Sequence, residues 1–359
     1  MVVNLAHERS GAMFRKQMWV SVLTLATAAL FSGMILVITS SCQHSGTPKI
    51  DGRIVSFDVD ASGSRIVFVG AGQGMTDLYL LDLSTKTVKR LTTSEVEERT
   101  PVFSPCGRYV LYTARREGFD NGWSLHLLDL SEDRSRVLVS ENGDYFPLGF
   151  TQNGKHILFL RSEASHSSTG GVSGTRRRVL VAALRADGHI AIPKEMPLEF
   201  LDGHTRTSGV LLTSSVLGAP SGSGTLMLFD LNAWLSTGNG QPEQTALTQT
   251  ISKKFGSEIY SPQFVKNGSQ LVFIAAETDY NYEVWAIQAD GSNLRRLTEM
   301  RSYMECLRVA EQEGYCYFLK LERNGRWMRK GIWRVSLDGK TAEQVVDYRL
   351  FEEPLAWKP

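Results

Sequence analysis

Four cysteines in 359 residues are too few and too scattered to staple a small fold, and no Gly-x-Ser-x-Gly elbow occurs anywhere in the chain. A complete α/β-hydrolase-type peptidase is thereby excluded. The seven histidines do not converge in sequence on an acid/base pair, and no His or Cys spacing matches a metal site. No metal or cofactor is called for. Charge is equally uninformative: the formal net charge is +1, which gives no reason to invoke nucleic acid.

What the chain does have is a repeat. Between residues 54 and 347 one unit recurs six times: a β-run, a Gly-containing turn, a second β-run, a loop and an alternating apolar strand that often ends in Asp-Leu. The third-strand copies are DLYLLDL from Asp77, SLHLLDL from Ser124, RVLVAAL from Arg178, TLMLFDL from Thr225, EVWAIQA from Glu283 and GIWRVSL from Gly331, spaced 47 to 58 residues apart. That is the period of a four-stranded blade. Second strands such as SRIVFV from Ser64 and QLVFIA from Gln270 each follow a turn pair: Ser62-Gly63, Cys106-Gly107, Asn153-Gly154 or Asn267-Gly268. Glycine supplies the positive φ of such turns without steric cost, so first and second strands pair as hairpins. The expected fold is all-β: a six-bladed propeller of four-stranded antiparallel blades, with a partial seventh blade as the alternative. A seventh first-type strand, PLAWKP from Pro354, would close the ring and remove an exposed sheet edge.

One long hydrophobic run precedes the repeats. Arg15 and Lys16 are followed by an uncharged stretch from Met18 to Ile38, about the length needed to cross a bilayer. Directly after it, Thr39-Ser40-Ser41-Cys42 resembles a bacterial lipoprotein box, which makes Cys42 a candidate lipidation site. Three fates stay open: lipid attachment at Cys42, an uncleaved transmembrane anchor, and simple secretion. The expected organisation is a signal or anchor over 1–42, a polar tether over 43–53 and the propeller over 54–359. Cys306 and Cys316 fall in one hairpin of the sixth repeat, where a disulfide and a pair of buried thiols are both open.

RTPVFSPCGRYVLYTAR from Arg99, YSPQFVKNGSQLVFIA from Tyr260, and the closing segments VKRLTTS from Val88 and SNLRRLTE from Ser292 resemble the repeat of the TolB-like, WD-repeat-like β-propellers. The resemblance runs from Ile54 to Pro359 and concerns the propeller only, not the N-terminal domain that TolB carries. It implies a fold more than a function, because such propellers serve periplasmic scaffolds, peptidase gating domains and some polysaccharide lyases.

Function is then expected in the loops that join second to third strands and fourth strands to the next blade. These carry Arg115, Arg116 and Asp120; Asp279, Tyr280 and Tyr282; and Arg323, Arg326, Trp327, Arg329 and Lys330. Between blades lie Glu95, Glu97, Glu98, Asp144, Tyr145, Lys253, Lys254, Tyr303, Glu352 and Glu353. Arg and aromatic residues together suit a binding surface, and the Arg323 to Lys330 stretch suits an acidic partner. The segment Ser162 to Arg178, rich in Ser and Gly, reads as a flexible lid or disordered insert. The expected protein is a monomeric, non-enzymatic scaffold in the bacterial cell envelope, held at the membrane by its N-terminus and binding an envelope protein or an acidic glycan. The alternative is a polysaccharide lyase or hydrolase using carboxylates such as Asp144 and Glu258.

Overall fold

The chain divides into two compact units, Met1–Thr47 and Pro48–Pro359. The computed structural model describes residues 53–72, 75–117, 122–141, 143–166, 172–198, 210–213, 227–256, 259–278, 281–324 and 327–347, all of them in the second unit. The hydrophobic run, Cys42 and the segment from Pro354 expected to close the ring lie outside the described residues. Among those described, no helix is long and apolar enough to cross a membrane.

Strands β1 (Arg53–Val59), β2 (Arg65–Gly72), β3 (Met75–Asp82) and β4 (Thr87–Arg90) make the first sheet, paired in chain order and antiparallel throughout. The second sheet holds β5 (Glu98–Phe103), β6 (Tyr109–Arg115), β7 (Trp123–Asp129) and β8 (Arg134–Val139). The third holds β9 (Asp144–Phe150), β10 (His156–His166), β11 (Val172–Ala183) and β12 (Lys194–Glu195). After the fourth repeat come β15 (Ile259–Val265), β16 (Gln270–Thr278), β17 (Asn281–Gln288) and β18 (Arg295–Arg296), then β19 (Met304–Ala310), β20 (Tyr315–Asn324), β21 (Trp327–Ser336) and β22 (Ala342–Val346). The turn glycines adopt the positive φ their hairpins require: +74° at Gly63, +68° at Gly107 and Gly154, +84° at Gly268.

Sheets stack face to face, so central strands are apolar on both faces and their runs are continuous. In β2, Ile66 and Phe68 enter a core shared with Tyr317, Leu319 and Ile332 of the sixth repeat, while Val67 and Val69 enter one shared with Phe103 and Val110 of the second. Further cores join the second repeat to the third, the third to the fourth, and the fifth to the sixth. Among the described residues the first and last sheets meet by side-chain packing, without strand exchange.

A bulge interrupts each first strand. The register skips between Ile54 and Ser56, Arg99 and Val102, Tyr260 and Gln263, and Glu305 and Arg308. Thr100 (φ +53°) and Ser261 (φ +50°) stand in these skips, each followed by proline. Proline has no N–H to lose where ladder pairing is broken, which is the physical content of the x-Pro-x-Phe repeat.

The fourth repeat departs from expectation. Among the described residues the structure holds five four-stranded blades, not six, and the fourth repeat supplies a two-stranded sheet of β13 (Val210–Thr213) and β14 (Met227–Asp230). The cause lies just after β14. The Asp230 carboxylate accepts from Ala233 N at 2.9 Å and starts helix α1 (Leu231–Thr237), so the Asp-Leu that ends other third strands here begins a helix. Beyond β14 only a single bridge, Leu228 to Glu243, stands where a fourth strand would run. Helix α2 (Ala246–Phe255) follows, fixed by a Thr245/Thr248 capping box, and packs Leu247, Ile251 and Phe255 against Phe264, Phe273 and Trp285 of the fifth repeat.

Two further points of the sequence reading are decided. The Ser162 to Arg178 segment is a hairpin extension, in which Ser162, Glu163 and Ala164 face Arg177, Arg176 and Thr175 across a continuous ladder. Residues 167–171 lie outside the described set. Cys306 and Cys316 are free thiols. They point to opposite faces of their sheet, Cys306 toward the core with the first repeat and Cys316 toward the core with the fifth.

Candidate functional site

At the end of the ring where second-to-third-strand hairpins and inter-blade loops emerge, three tyrosines from different segments meet. Tyr260 starts the fifth repeat's first strand, Tyr282 starts its third, and Tyr303 precedes β19. Their rings pack edge to face, with centroids 5.6 Å apart for Tyr260 and Tyr282 and 5.2 Å for Tyr282 and Tyr303. A bridge from Tyr282 N to Ser302 O at 3.2 Å holds the two segments together. The outer rings face solvent, Tyr260 being 40% and Tyr303 36% exposed.

Charge borders this cluster. Tyr303 Oη donates to Glu305 Oε2 at 3.0 Å, and Lys330 Nζ binds Glu305 Oε1. Burial, with Glu305 adding to it, pushes the Tyr303 hydroxyl up to about 12, so it stays a neutral donor at ordinary pH. Deeper in the same hairpin, Lys320 lies 4.2 Å over the Trp333 ring, whose Nε1 donates to Glu322 at 2.8 Å. The arrangement offers aromatic area, one fixed hydroxyl and one bridged cation. It presents no nucleophile beside a base, and among the described residues no cluster of His, Cys, Asp or Glu could hold a metal ion.

The site gathers Tyr282, Tyr303 and Lys330 from the residues expected on sequence grounds. It adds Tyr260 and Glu305, whose signal, an exposed aromatic or acid at a strand start, is visible only once strand ends are known. Arg329 stands opposite Glu322 in register. Arg323 and Trp327 lie at the paired tips of β20 and β21, and their side chains, with Tyr280 and Arg326, lie outside the described residues, as do Asp120, Asp279, Glu258, Glu352 and Glu353.

Other residues expected in binding loops make contacts within the propeller. Arg116 donates from Nη1 to the carbonyls of Ser140 at 2.6 Å and Gly143 at 2.7 Å, tying the loop before β9 to the end of β6. Arg115 lies 3.8 Å from Glu97, which also receives Arg99 at 3.3 Å, and Arg99 stacks 4.7 Å over Trp123. Asp144 accepts Trp123 N at 2.9 Å. Tyr145 is buried in β9. Lys253 and Lys254 belong to the last turn of α2, Lys254 lying 3.9 Å over Trp285.

Glu98 likewise is buried, 2% exposed. It explains the Arg-Leu-Thr closing motif. Thr92 Oγ1 accepts from Leu78 N at 2.9 Å and donates to Glu98, and Thr298 Oγ1 accepts from Val284 N at 2.9 Å and donates to Glu283 at 2.5 Å. Each threonine accepts from a third-strand N–H and donates to a buried glutamate, and burial pushes the Glu98 carboxyl up.

No family model matches the chain. A segment is similar to the Tol-Pal system protein TolB of Ruegeria sp. (strain TM1040), 37% identical over 84 residues, covering 22% of this chain and 18% of that protein. A second is similar to TolB of Desulfosudis oleivorans, 29% identical over 105 residues, covering 29% of this chain and 21% of that one. The chain thus spans about a fifth of the length of these curated relatives. Among solved structures, the tricorn protease aligns with a TM-score of 0.54 at 16% identity, over 84% of this chain and 27% of that one. The β-propeller domain of the Trilobed protease from Pyrococcus furiosus aligns at 0.51 and 12%, over 82% and 84%. At such identities the likeness concerns the propeller fold.

Proposed function

We propose that this TolB-like β-propeller is an envelope-associated, non-enzymatic binding module that docks a protein partner on the Tyr260, Tyr282 and Tyr303 cluster. The exposed tyrosine cluster beside the Glu305 and Lys330 pair carries the reading. Tyrosines set in a polar rim are the common anchors of protein interfaces. The edge-to-face packing, at interplanar angles of 62° and 75°, offers no coplanar platform for stacked sugar rings and so favours a protein over a glycan. Placement in the envelope is supported by the Tol-Pal relatives and by the hydrophobic run from Met18 to Ile38 with Cys42 just after it, where a lipid would hold the propeller at a membrane surface.

The test is capture of envelope proteins by the full chain beside its Tyr260→Ala/Tyr303→Ala and Gln312→Ala variants, the last altering the opposite end of the ring. A protein retained by the parent and by Gln312→Ala but lost by the double tyrosine variant supports the reading. Equal retention by all three would overturn it.

A further inference from the structure

The opposite end of the ring, where first strands turn into second strands, holds a cavity of about 260 Å³. Pro105, Gln152, Glu311 and Gln312 line it from the turns of the second, third and sixth repeats, and Gln263 and Phe264 line it from β15. Its depth follows from the first strands. Asp58, Val102, Gly149, Gln263 and Arg308 occupy one equivalent place, opposite Val67, Leu111, Leu158, Val272 and Tyr317 of their second strands. This position faces the axis: Asp58 of β1 receives Phe103 N of β5 at 2.7 Å and meets Arg308 of β19 at 3.3 Å. Valine and glycine leave room there, and the two charges form an ion pair. Gln263, 3% exposed, is the uncharged polar group at this position, and its Nε2 has no acceptor among the described residues.

We infer that this cavity is a binding site for a small uncharged ligand that carries an amide beside an apolar group, of the size of a single acetamido sugar. The lining contains three carboxamides, Gln152, Gln263 and Gln312, and no lysine or arginine. A carboxamide both donates and accepts, as an amide or hydroxyl ligand requires. Its terminal torsion is soft, so the Gln263 amide can turn its N–H toward a ligand carbonyl. Buried donors in folded proteins find acceptors. An anion would meet Glu311 and no cation; a cation would meet one carboxylate that already accepts from Asn267 N at 3.1 Å. Pro105 and Phe264 supply the apolar wall for a methyl group. The three amides come from three repeats spaced around the axis, which suits hydroxyls spread around a sugar ring better than the two-sided edge of an extended peptide. The volume admits one ring.

The experiment is calorimetric titration of the full chain in detergent with N-acetylglucosamine, glucose and N-acetylalanine methylamide as probes, repeated on Gln263→Leu, Gln312→Ala and Tyr303→Ala. The expected result is N-acetylglucosamine binding about ten-fold or more tighter than glucose, weakened about ten-fold by Gln263→Leu and several-fold by Gln312→Ala, and unchanged by Tyr303→Ala. Should Gln263→Leu fail to fold, the exposed Gln312→Ala decides alone. No heat with any probe at about 10 mM, equal binding of the two sugars, or binding of the peptide mimic alone would overturn the inference. The tyrosine variant keeps this outcome separate from that of the protein-docking reading.

Discussion

Arg308 Nε stands 3.3 Å from Asp58 Oδ1, with the two side chains 6% and 1% exposed, so the first and last described repeats are joined by a buried ion pair at the axis. Such a pair adds little net stability against apolar isosteres, but removing one partner leaves a buried charge. Arg308→Met is therefore expected to cost about 3–5 kcal/mol in urea unfolding, and Asp58→Asn/Arg308→Met to recover about half of that loss. A double variant as unstable as the single one would show that the arginine acts by packing rather than by pairing.

His126 gives a pH signature. Burial pushes its imidazole down to about 4 from 6.5, beside Ser124 Oγ at 2.8 Å. The folded state resists protonation while the unfolded chain accepts it, so this contribution is present above pH 6.5 and lost as pH falls toward 4. The loss amounts to up to ~3 kcal/mol. Comparing the pH dependence of unfolding for the parent and His126→Gln isolates it; parallel curves would assign the acid sensitivity to other groups.

The cysteines should divide by burial. Cys106 is exposed, whereas burial pushes the Cys306 and Cys316 thiols up, and the thiolate is the reactive form. Alkylation of the native protein followed by peptide mass spectrometry should label Cys106 and leave Cys306 and Cys316 unlabelled until denaturant is added. Labelling of Cys306 at the native rate of Cys106 would mean that its bulge opens to solvent.

Helix α2 stands between the fourth and fifth repeats, where Lys253 and Lys254 were expected in a loop, and its cap is open to test. Thr245→Ala removes the side chain that accepts from Thr248 N and is expected to cost about 1 kcal/mol. Ile251→Ala, fully buried against the fifth repeat, should cost about 2–5 kcal/mol. A negligible effect of Ile251→Ala on thermal unfolding would detach α2 from the cooperative unit.

Much of the fold was readable because it is local. The Asn267-Gly268 and Cys106-Gly107 turns need only positive φ, and the third strands need only alternation. The fourth repeat departs at one residue: TLMLFDL satisfies the strand pattern and Met227–Asp230 is a strand, yet Asp230 accepts from Ala233 N and caps a helix where a turn to a fourth strand was expected. Arg116 and Glu98 have the composition of a binding loop, but Arg116 is tied to the carbonyls of Ser140 and Gly143 from the next inter-blade loop, and Glu98 is buried under Thr92 and Ser94. The tyrosine cluster joins segments that the bridge from Tyr282 to Ser302, the Glu283 carboxylate and the core between the fifth and sixth repeats bring together.

The sequence by itself determined the repeat, the hairpin turns and the bulge prolines, since each depends on torsions and side chains a few residues apart. Only the tertiary structure decided which polar residues are free to meet a ligand. That depends on partners from neighbouring blades: Asp58 and Arg308, far apart in sequence, neutralise each other at the axis, while Gln263 in the equivalent place has no acceptor among the described residues.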